Sequence, residues 1–165
     1  MTCRRHAASH LASWVLPRCS GTWCYRFGKT LRHVRTCTTG PVPPASAEAD
    51  AKRFEPAADK LTVYVVRKRW GDAVNVVMLT VDRAAAVETV PESFVRLRLT
   101  PGTHVLRVTW SEGEAEAVVS GAAGDIRYVE LVGSVWAWAS TYVLEPGDRA
   151  SRDRIRQVRM VADRS

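Results

Sequence analysis

Four residues near the start of the chain have side chains that bind zinc: Cys19, Cys24, His33 and Cys37. Thiolate sulfurs and an imidazole nitrogen suit the tetrahedral coordination of Zn²⁺. Their spacing, Cys-x4-Cys-x8-His-x3-Cys, matches no familiar zinc finger, and no knuckle-like turn lies between the ligands. We interpret the four as a chance cluster and predict no metal site and no cofactor.

Cys37 is also a candidate for lipid attachment, because a Pro-, Ala- and Ser-rich stretch follows it. A lipoprotein signal has a basic region, an apolar region and a small residue before the lipidated cysteine. Residues 33–36 read HVRT and are not apolar. The acid-free, Arg-, Cys- and Trp-containing leader resembles wrong-frame translation of GC-rich DNA. We hypothesise that residues 1 to about 36 are a mis-called start or frameshift that replaces a signal peptide.

Aromatic residues at every second position could form a flat face for stacking on a sugar or a partner: Trp136, Trp138 and Tyr142. The same spacing places a row of side chains on one face of a strand. Buried aromatic rings remove much apolar area from water, so a core position is the favoured interpretation and a binding face the alternative.

The remaining candidate for chemistry is His104, the only histidine after residue 33. One histidine without a patterned Ser, Cys, Asp or Glu partner is neither a triad nor a metal site. The chain also lacks a Gly-rich phosphate loop, a nucleophile elbow and a paired-carboxylate motif. We therefore predict no catalytic residues and no enzymatic activity.

The basic charge lies at one end of the chain. The 165 residues carry a net charge of +7, and residues 1–47 hold seven basic side chains and no acidic one. From Glu48 onward, 17 basic and 17 acidic residues balance. A neutral domain has no attraction for phosphate backbones, so nucleic acid is not an expected partner. An organellar transit peptide and a nucleic-acid-binding arm remain lesser alternatives for the leader.

Short apolar runs separated by turn residues dominate the chain after Lys60. Alternating or β-branched runs predict strands, and Pro101-Gly102 predicts a tight turn. Asp148 or Ser151 is expected to begin a short helix, and residues 158–161 could add a last strand. The predicted strands are 61–68, 73–82, 93–100, 103–110, 115–120, 126–133 and 134–145.

This pattern predicts an all-β fold, namely an antiparallel β-sandwich with a short C-terminal helix. We expect three parts along the chain. Residues 1–37 form a disordered basic leader, residues 38–59 form a Pro/Ala-rich linker, and residues 60–162 form the sandwich domain.

The order of a cysteine, a Pro/Ala/Ser/Glu-rich stretch and these strands resembles Domain of Unknown Function 2846, a family of small predicted bacterial lipoproteins. The residues that carry the resemblance are LTVYVVRKR, the unit VVMLTVDRAAAVETVPESFVRLRLTPGTHVL and the late strand IRYVELVG. The turn Leu99–His104 also resembles PEGA-type β-domains, although Arg83-Ala84 follows Val81-Asp82 where those domains usually have glycine. The resemblance implies an immunoglobulin-like or transthyretin-like sandwich and no catalytic set.

From these features we expect a non-enzymatic cell-envelope protein of the lipoprotein type, with a structural or interaction role. The expected location is the bacterial envelope, either membrane-anchored through a lipid or periplasmic, and the expected partner is a protein or another envelope component. The alternative is a soluble carbohydrate- or peptide-binding module that uses an edge strand or the aromatic face.

Overall fold

The computed structural model of the chain describes residues 21–27, 34–67, 75–136 and 139–165. Within these ranges it contains eleven strands and two short helices. The helices are α1 (Ala45–Ala51) and α2 (Arg149–Ile155). The strands are β1 (Cys24–Phe27), β2 (Val34–Cys37), β3 (Leu61–Arg67), β4 (Val77–Val81), β5 (Val87–Thr89), β6 (Ser93–Leu99), β7 (Gly102–Trp110), β8 (Gly113–Gly121), β9 (Ile126–Trp136), β10 (Ala139–Pro146) and β11 (Arg159–Arg164).

Two sheets pack into a sandwich, which confirms the predicted all-β fold. One sheet has the strand order β10-β9-β3-β6-β11 and the other β5-β4-β7-β8, while β1 and β2 pair separately. The four-stranded sheet is antiparallel throughout, as predicted. The five-stranded sheet is mixed, because β3 runs parallel to β9 and β6 runs parallel to β11.

The central strand β3 is buried on both faces, as its β-branched and aromatic composition requires. Leu61, Val63 and Val65 point between the two sheets and join the main core. Tyr64 and Val66 point to the opposite face, where α1, α2 and the residues beside them cover a second apolar cluster. The molecule therefore has three layers, with both helices on the outer side of the five-stranded sheet.

The segment predicted as a linker, residues 38–59, packs against the domain instead. Helix α1 occupies much of it, and Ala51 and Phe54 are buried in the second cluster. The Tyr64 hydroxyl donates a hydrogen bond of 2.8 Å to the carbonyl oxygen of Ala51. The composition of residues 38–59 is typical of a linker, so the sequence did not indicate that a few of their apolar side chains pack against the domain. One of these is Phe54, whose ring centroid lies 4.7 Å from the Arg152 guanidinium.

The prediction of a disordered leader over residues 1–37 is wrong where the structure describes it. Residues 24–27 and 34–37 pair as antiparallel strands, and a disulfide joins Cys24 to Cys37. A covalent link across two short strands supplies stability that their sequence alone does not. The leader positions 1–20 and 28–33 lie outside the described residues.

The late strand predicted over 134–145 is two strands. The chain reverses between β9 and β10, so that Trp136 pairs with Ala139 and Tyr142 pairs with Gly133. The sequence Trp-Ala-Trp-Ala contains no glycine, proline, asparagine or aspartate, so no turn signal marked the reversal. Positions 136 and 142 consequently do not lie in one continuous row.

Two local predictions are confirmed. Gly102 has a φ of 142°, in the range that favours glycine, and it begins β7 directly after Pro101. Asp148 caps α2: its carboxylate accepts from the backbone nitrogens of Ala150 and Ser151, and the Ser151 hydroxyl bonds the Asp148 backbone in return. The segment after α2 forms β11, close to the predicted last strand.

Candidate functional site

A cleft lies where edge strand β5 of one sheet approaches edge strand β11 of the other. It encloses about 1270 Å³. Apolar side chains line it from both sheets, including Met78, Val87 and Val161. At the opposite edge the sandwich is closed, because the Trp110 indole nitrogen donates to the Ser140 carbonyl oxygen at 2.9 Å. An apolar cleft between sheets is a usual place for a binding site.

A segment of the same chain lies along this cleft, and we call residues 38–44 the cleft segment. Val42 packs against the main core together with Trp23, the residue that directly precedes β1. Pro41, Pro43 and Pro44 also line the cleft. Proline favours extended backbone, so an extended, proline-rich chain forms one wall of the cleft.

Hydrogen bonds attach the cleft segment at one end. The backbone nitrogen of Thr39 donates to Glu88 Oε2 at 2.7 Å, and the Thr39 hydroxyl donates to Glu88 Oε1. Thr38 and Trp23 are joined by two bonds, from the Thr38 backbone nitrogen to the Trp23 carbonyl oxygen and from the Trp23 backbone nitrogen to the Thr38 hydroxyl. Glu88 is therefore the side chain by which β5 holds the segment.

The charged groups on the β11 wall have structural partners. Arg159 pairs with Glu48 at 2.7 Å, and Asp163 accepts two bonds from Arg96. Glu48 also accepts from the backbone nitrogen of Met160 at 3.2 Å. The contacts of Glu48 hold α1 against the sheet beside the cleft, so they shape its wall.

The disulfide changes the interpretation of two sequence candidates. The sulfur of Cys37, the candidate for lipid attachment, is bonded to that of Cys24. A sulfur in a disulfide cannot at the same time form a thioether to lipid or bind zinc as a thiolate. The other two members of the cysteine and histidine cluster, Cys19 and His33, lie outside the described residues.

The predicted aromatic face is not an exposed surface at Tyr142. That side chain is 2% exposed and belongs to the main core, so the core interpretation is confirmed there. Its ring packs edge-on against Trp110, with centroids 4.9 Å apart. Trp138 lies outside the described residues, and of Trp136 the structure describes the backbone. Tyr142 is therefore no candidate for stacking on a ligand.

His104 joins two turns. Its Nδ1 lies 2.9 Å from Asp82 Oδ2, and its Nε2 lies 2.8 Å from the carbonyl oxygen of Thr100. Because both neighbours are acceptors, both ring nitrogens donate in the imidazolium form. The hydrogen bond that His104 donates to Asp82 is the largest cause that raises the pKa of His104, and the same bond lowers the pKa of Asp82. The pair stabilises the fold and leaves no ring nitrogen for a substrate.

This pair predicts a pH dependence of stability. The imidazolium contributes stability that is complete below the ordinary pKa of 6.5 and is lost as pH rises through the raised pKa. The Asp82 contribution is present above 3.8 and is lost as pH falls through the lowered pKa. Between about pH 6 and pH 9, we expect the unfolding free energy to fall by about 1 kcal/mol more in the wild type than in His104→Gln.

Urea denaturation at a series of pH values measures this difference. The two curves of unfolding free energy against pH should converge at the alkaline end, where the wild-type imidazole is neutral. Parallel curves would show that His104 does not hold a proton between Asp82 and Thr100.

The charged side chains on the strands form separate ion-pair groups. Arg96 and Arg98 both contact Asp163 at the outer face of the five-stranded sheet. Arg107 pairs with Glu116 on the other sheet. Glu130 accepts bonds from the Ser151 hydroxyl, at 2.6 Å, and from Arg154. No anion-binding patch forms from these side chains.

Among the described residues, no group of three or more histidine, cysteine, aspartate or glutamate side chains could hold a metal ion. In the same ranges, no helix is long and apolar enough to cross a membrane.

Sequence reasoning missed the residues that build the cleft. Neither Glu88 nor Trp23 belongs to a motif, and the sequence predicts no strand at the position of β5. Residues 38–59 are predicted as a Pro/Ala-rich linker, and their contact with the sandwich depends on how the two sheets are placed relative to each other. Periodicity does not report that placement.

Comparisons with known proteins add no assignment. No protein-family model matches the chain, and no significant match to a curated protein was found. The resemblance to Domain of Unknown Function 2846 therefore stays a prediction.

Proposed function

We propose that the protein is a non-enzymatic binding module of the bacterial cell envelope, and that the cleft between β5 and β11 receives an extended, proline-containing segment of a partner protein. The observation that carries the proposal is the cleft segment itself. Its prolines line the cleft and Val42 contacts the main core, so these walls fit a chain of that chemistry.

The chemistry of the walls supports recognition of such a peptide. Proline-rich segments are already extended when free, so they lose little conformational entropy on binding. The cleft offers apolar side chains for alternate residues and Glu88 as an acceptor for a backbone nitrogen and a hydroxyl. A partner segment with threonine two or three residues before a Pro-x-Pro sequence matches both features.

The disulfide supports an extracytoplasmic location. Disulfides persist in oxidising compartments such as the periplasm and are rare in the reducing cytosol. Because Cys37 uses its sulfur in that bond, the proposal places no lipid on it. The buried polar groups Ser151 and Glu130 bond each other, and His104 bonds two acceptors, which supports a role without catalysis.

A peptide with the sequence of residues 38–46 tests the proposal in trans. In the full chain, Val42→Asp should expel the cleft segment, because a carboxylate would be buried against the core without a partner. We expect this variant to bind the fluorescent wild-type peptide at least about tenfold more tightly than a peptide with aspartate at the Val42 position. Fluorescence anisotropy measures both affinities.

Glu88→Gln, made in the Val42→Asp background, is a second variant that tests the cleft wall. It keeps the size of the side chain and removes the charge that accepts from Thr39, so binding should weaken by about tenfold. Equal affinity of the Val42→Asp chain for the two peptides would reject the cleft as a peptide site.

A further inference from the structure

We propose that the disulfide between Cys24 and Cys37 is a redox latch that keeps the cleft segment in place, and that its reduction by a dithiol opens the cleft to a partner peptide. That an open cleft binds a partner peptide rests on the proposed function. That reduction opens the cleft rests on the position of the disulfide, and this part can be tested without a partner.

The disulfide lies immediately outside the cleft. Cys24 and Cys37 are cross-strand partners in the β1–β2 pair. The next residues inward are Trp23 and Thr38, which are joined by hydrogen bonds of 3.0 and 3.1 Å. From there Trp23 enters the main core and the cleft segment runs along the cleft. The disulfide closes a ring over residues 24–37, and Trp23 and the cleft segment leave this ring side by side as one unit.

Thr39 and Val42 attach the cleft segment to the body of the protein. Thr39 bonds Glu88 at an exposed position, and Val42 packs against the main core. The bond from the Val42 backbone nitrogen to the Gly21 carbonyl oxygen is 3.4 Å and joins the unit to itself. Isolated two-stranded pairs are marginally stable in water, so the unit depends on its covalent closure.

The reaction is a thiol–disulfide exchange. A thiolate of the reducing dithiol attacks Cys24 or Cys37, the sulfur–sulfur bond breaks and a mixed disulfide forms. The second thiol of the reductant then displaces the protein sulfur. The chain gains two electrons and two protons as two thiols, and the dithiol becomes a disulfide. Both cysteines are half-buried, so a reductant can reach them.

The size of the effect follows from the ring that the disulfide closes. Its sequence separation is 13 residues. Closing a ring of this size favours the docked arrangement by on the order of 100-fold. Reduction should therefore raise the population of the open cleft by about the same factor.

Hydrogen exchange of the full chain tests the latch directly. We expect dithiothreitol to accelerate exchange of the Thr39 and Val42 backbone amides by on the order of 100-fold, with β3 unchanged. The experiment uses the Cys3→Ser, Cys19→Ser background, so that Cys24 and Cys37 are the only thiols. Adding Cys24→Ser and Cys37→Ser should give fast exchange with and without reductant. Exchange at Thr39 that does not change on reduction would overturn the latch.

Peptide binding then separates failure of the latch from failure of the binding function. Reduced chain should bind the peptide of residues 38–46 on the order of 100-fold more tightly than oxidised chain. If Val42→Asp binds the peptide while reduction of the unsubstituted chain changes nothing, the latch is wrong and the binding function stands. If amide exchange responds to reduction but neither chain binds the peptide, the latch stands and the binding function is wrong.

Discussion

Replacing Tyr142 with alanine is expected to lower the free energy of unfolding by about 3–5 kcal/mol, the range for removing a large aromatic side chain from a core. The ring is 2% exposed, packs edge-on against Trp110 and lies 5.4 Å from the Arg67 guanidinium. Alanine leaves a cavity at the closed edge of the sandwich. Urea denaturation followed by Trp fluorescence measures the loss.

Val143→Ala is the matched control, because the neighbouring residue points to the other face of β10. Val143 is 47% exposed, so its truncation should change the free energy of unfolding by about 0.5 kcal/mol or less. If the two variants were equally stable, Tyr142 would lie on an accessible face and the aromatic binding-face interpretation would return.

Replacing Arg96 with alanine is expected to destabilise the protein by about 3 kcal/mol, the low end of the range for breaking a buried ion pair. The Arg96 side chain is 8% exposed and makes two bonds to Asp163, at 3.0 and 2.7 Å. It also reaches Asp50 on α1, at 2.7 Å. Its removal leaves the Asp163 carboxylate with the weaker contact from Arg98 and frees one side of α1.

The second readout for Arg96→Ala is the titration of Asp50. The hydrogen bond from Arg96 is the largest cause that lowers the pKa of Asp50. In the variant that pKa should rise toward its ordinary value, as measured by carboxyl chemical shifts against pH. An unchanged Asp50 titration would mean that Arg96 does not hold α1.

Arg107→Ala supplies the contrast for an exposed ion pair. Arg107 is 48% exposed and pairs with Glu116 on the solvent face of the four-stranded sheet. We expect its loss to cost about 0.5 kcal/mol, because exposed pairs gain little over their interactions with water. Comparing the stability losses of Arg96→Ala and Arg107→Ala therefore shows how much burial adds to the contribution of an ion pair.

Much of the fold was predictable because its signals are local. Alternation in residues 93–99 and the Pro101-Gly102 turn predicted β6, β7 and the reversal between them. Asp148 marked the start of α2 for the same reason, since a capping side chain acts within three residues. The sequence gives no such local signal for the parallel pairing of β3 with β9, because that pairing joins residues 64 positions apart, such as Thr62 and Ile126, and depends on the whole chain path.

The candidate site was less predictable. Three of the leader's four cysteines were open to zinc or lipid interpretations, and nothing in their spacing selected the pair Cys24 and Cys37. Residues 38–59 had the composition of a linker, and their docking follows from contacts of Val42, Ala51 and Phe54 that arise only in three dimensions. The pairing of Asp82 with His104 likewise needs two turns to meet.

The place of β3 at the centre of the five-stranded sheet has a consequence for biosynthesis. Leu61–Arg67 leaves the ribosome before either of its neighbours, β6 and β9, has been made. Until Ile126 and the residues after it are translated, one edge of this strongly β-forming, mostly uncharged strand has no partner. Nascent chains of this intermediate length therefore present a template for intermolecular strand pairing, and they are the species that holding chaperones must cover.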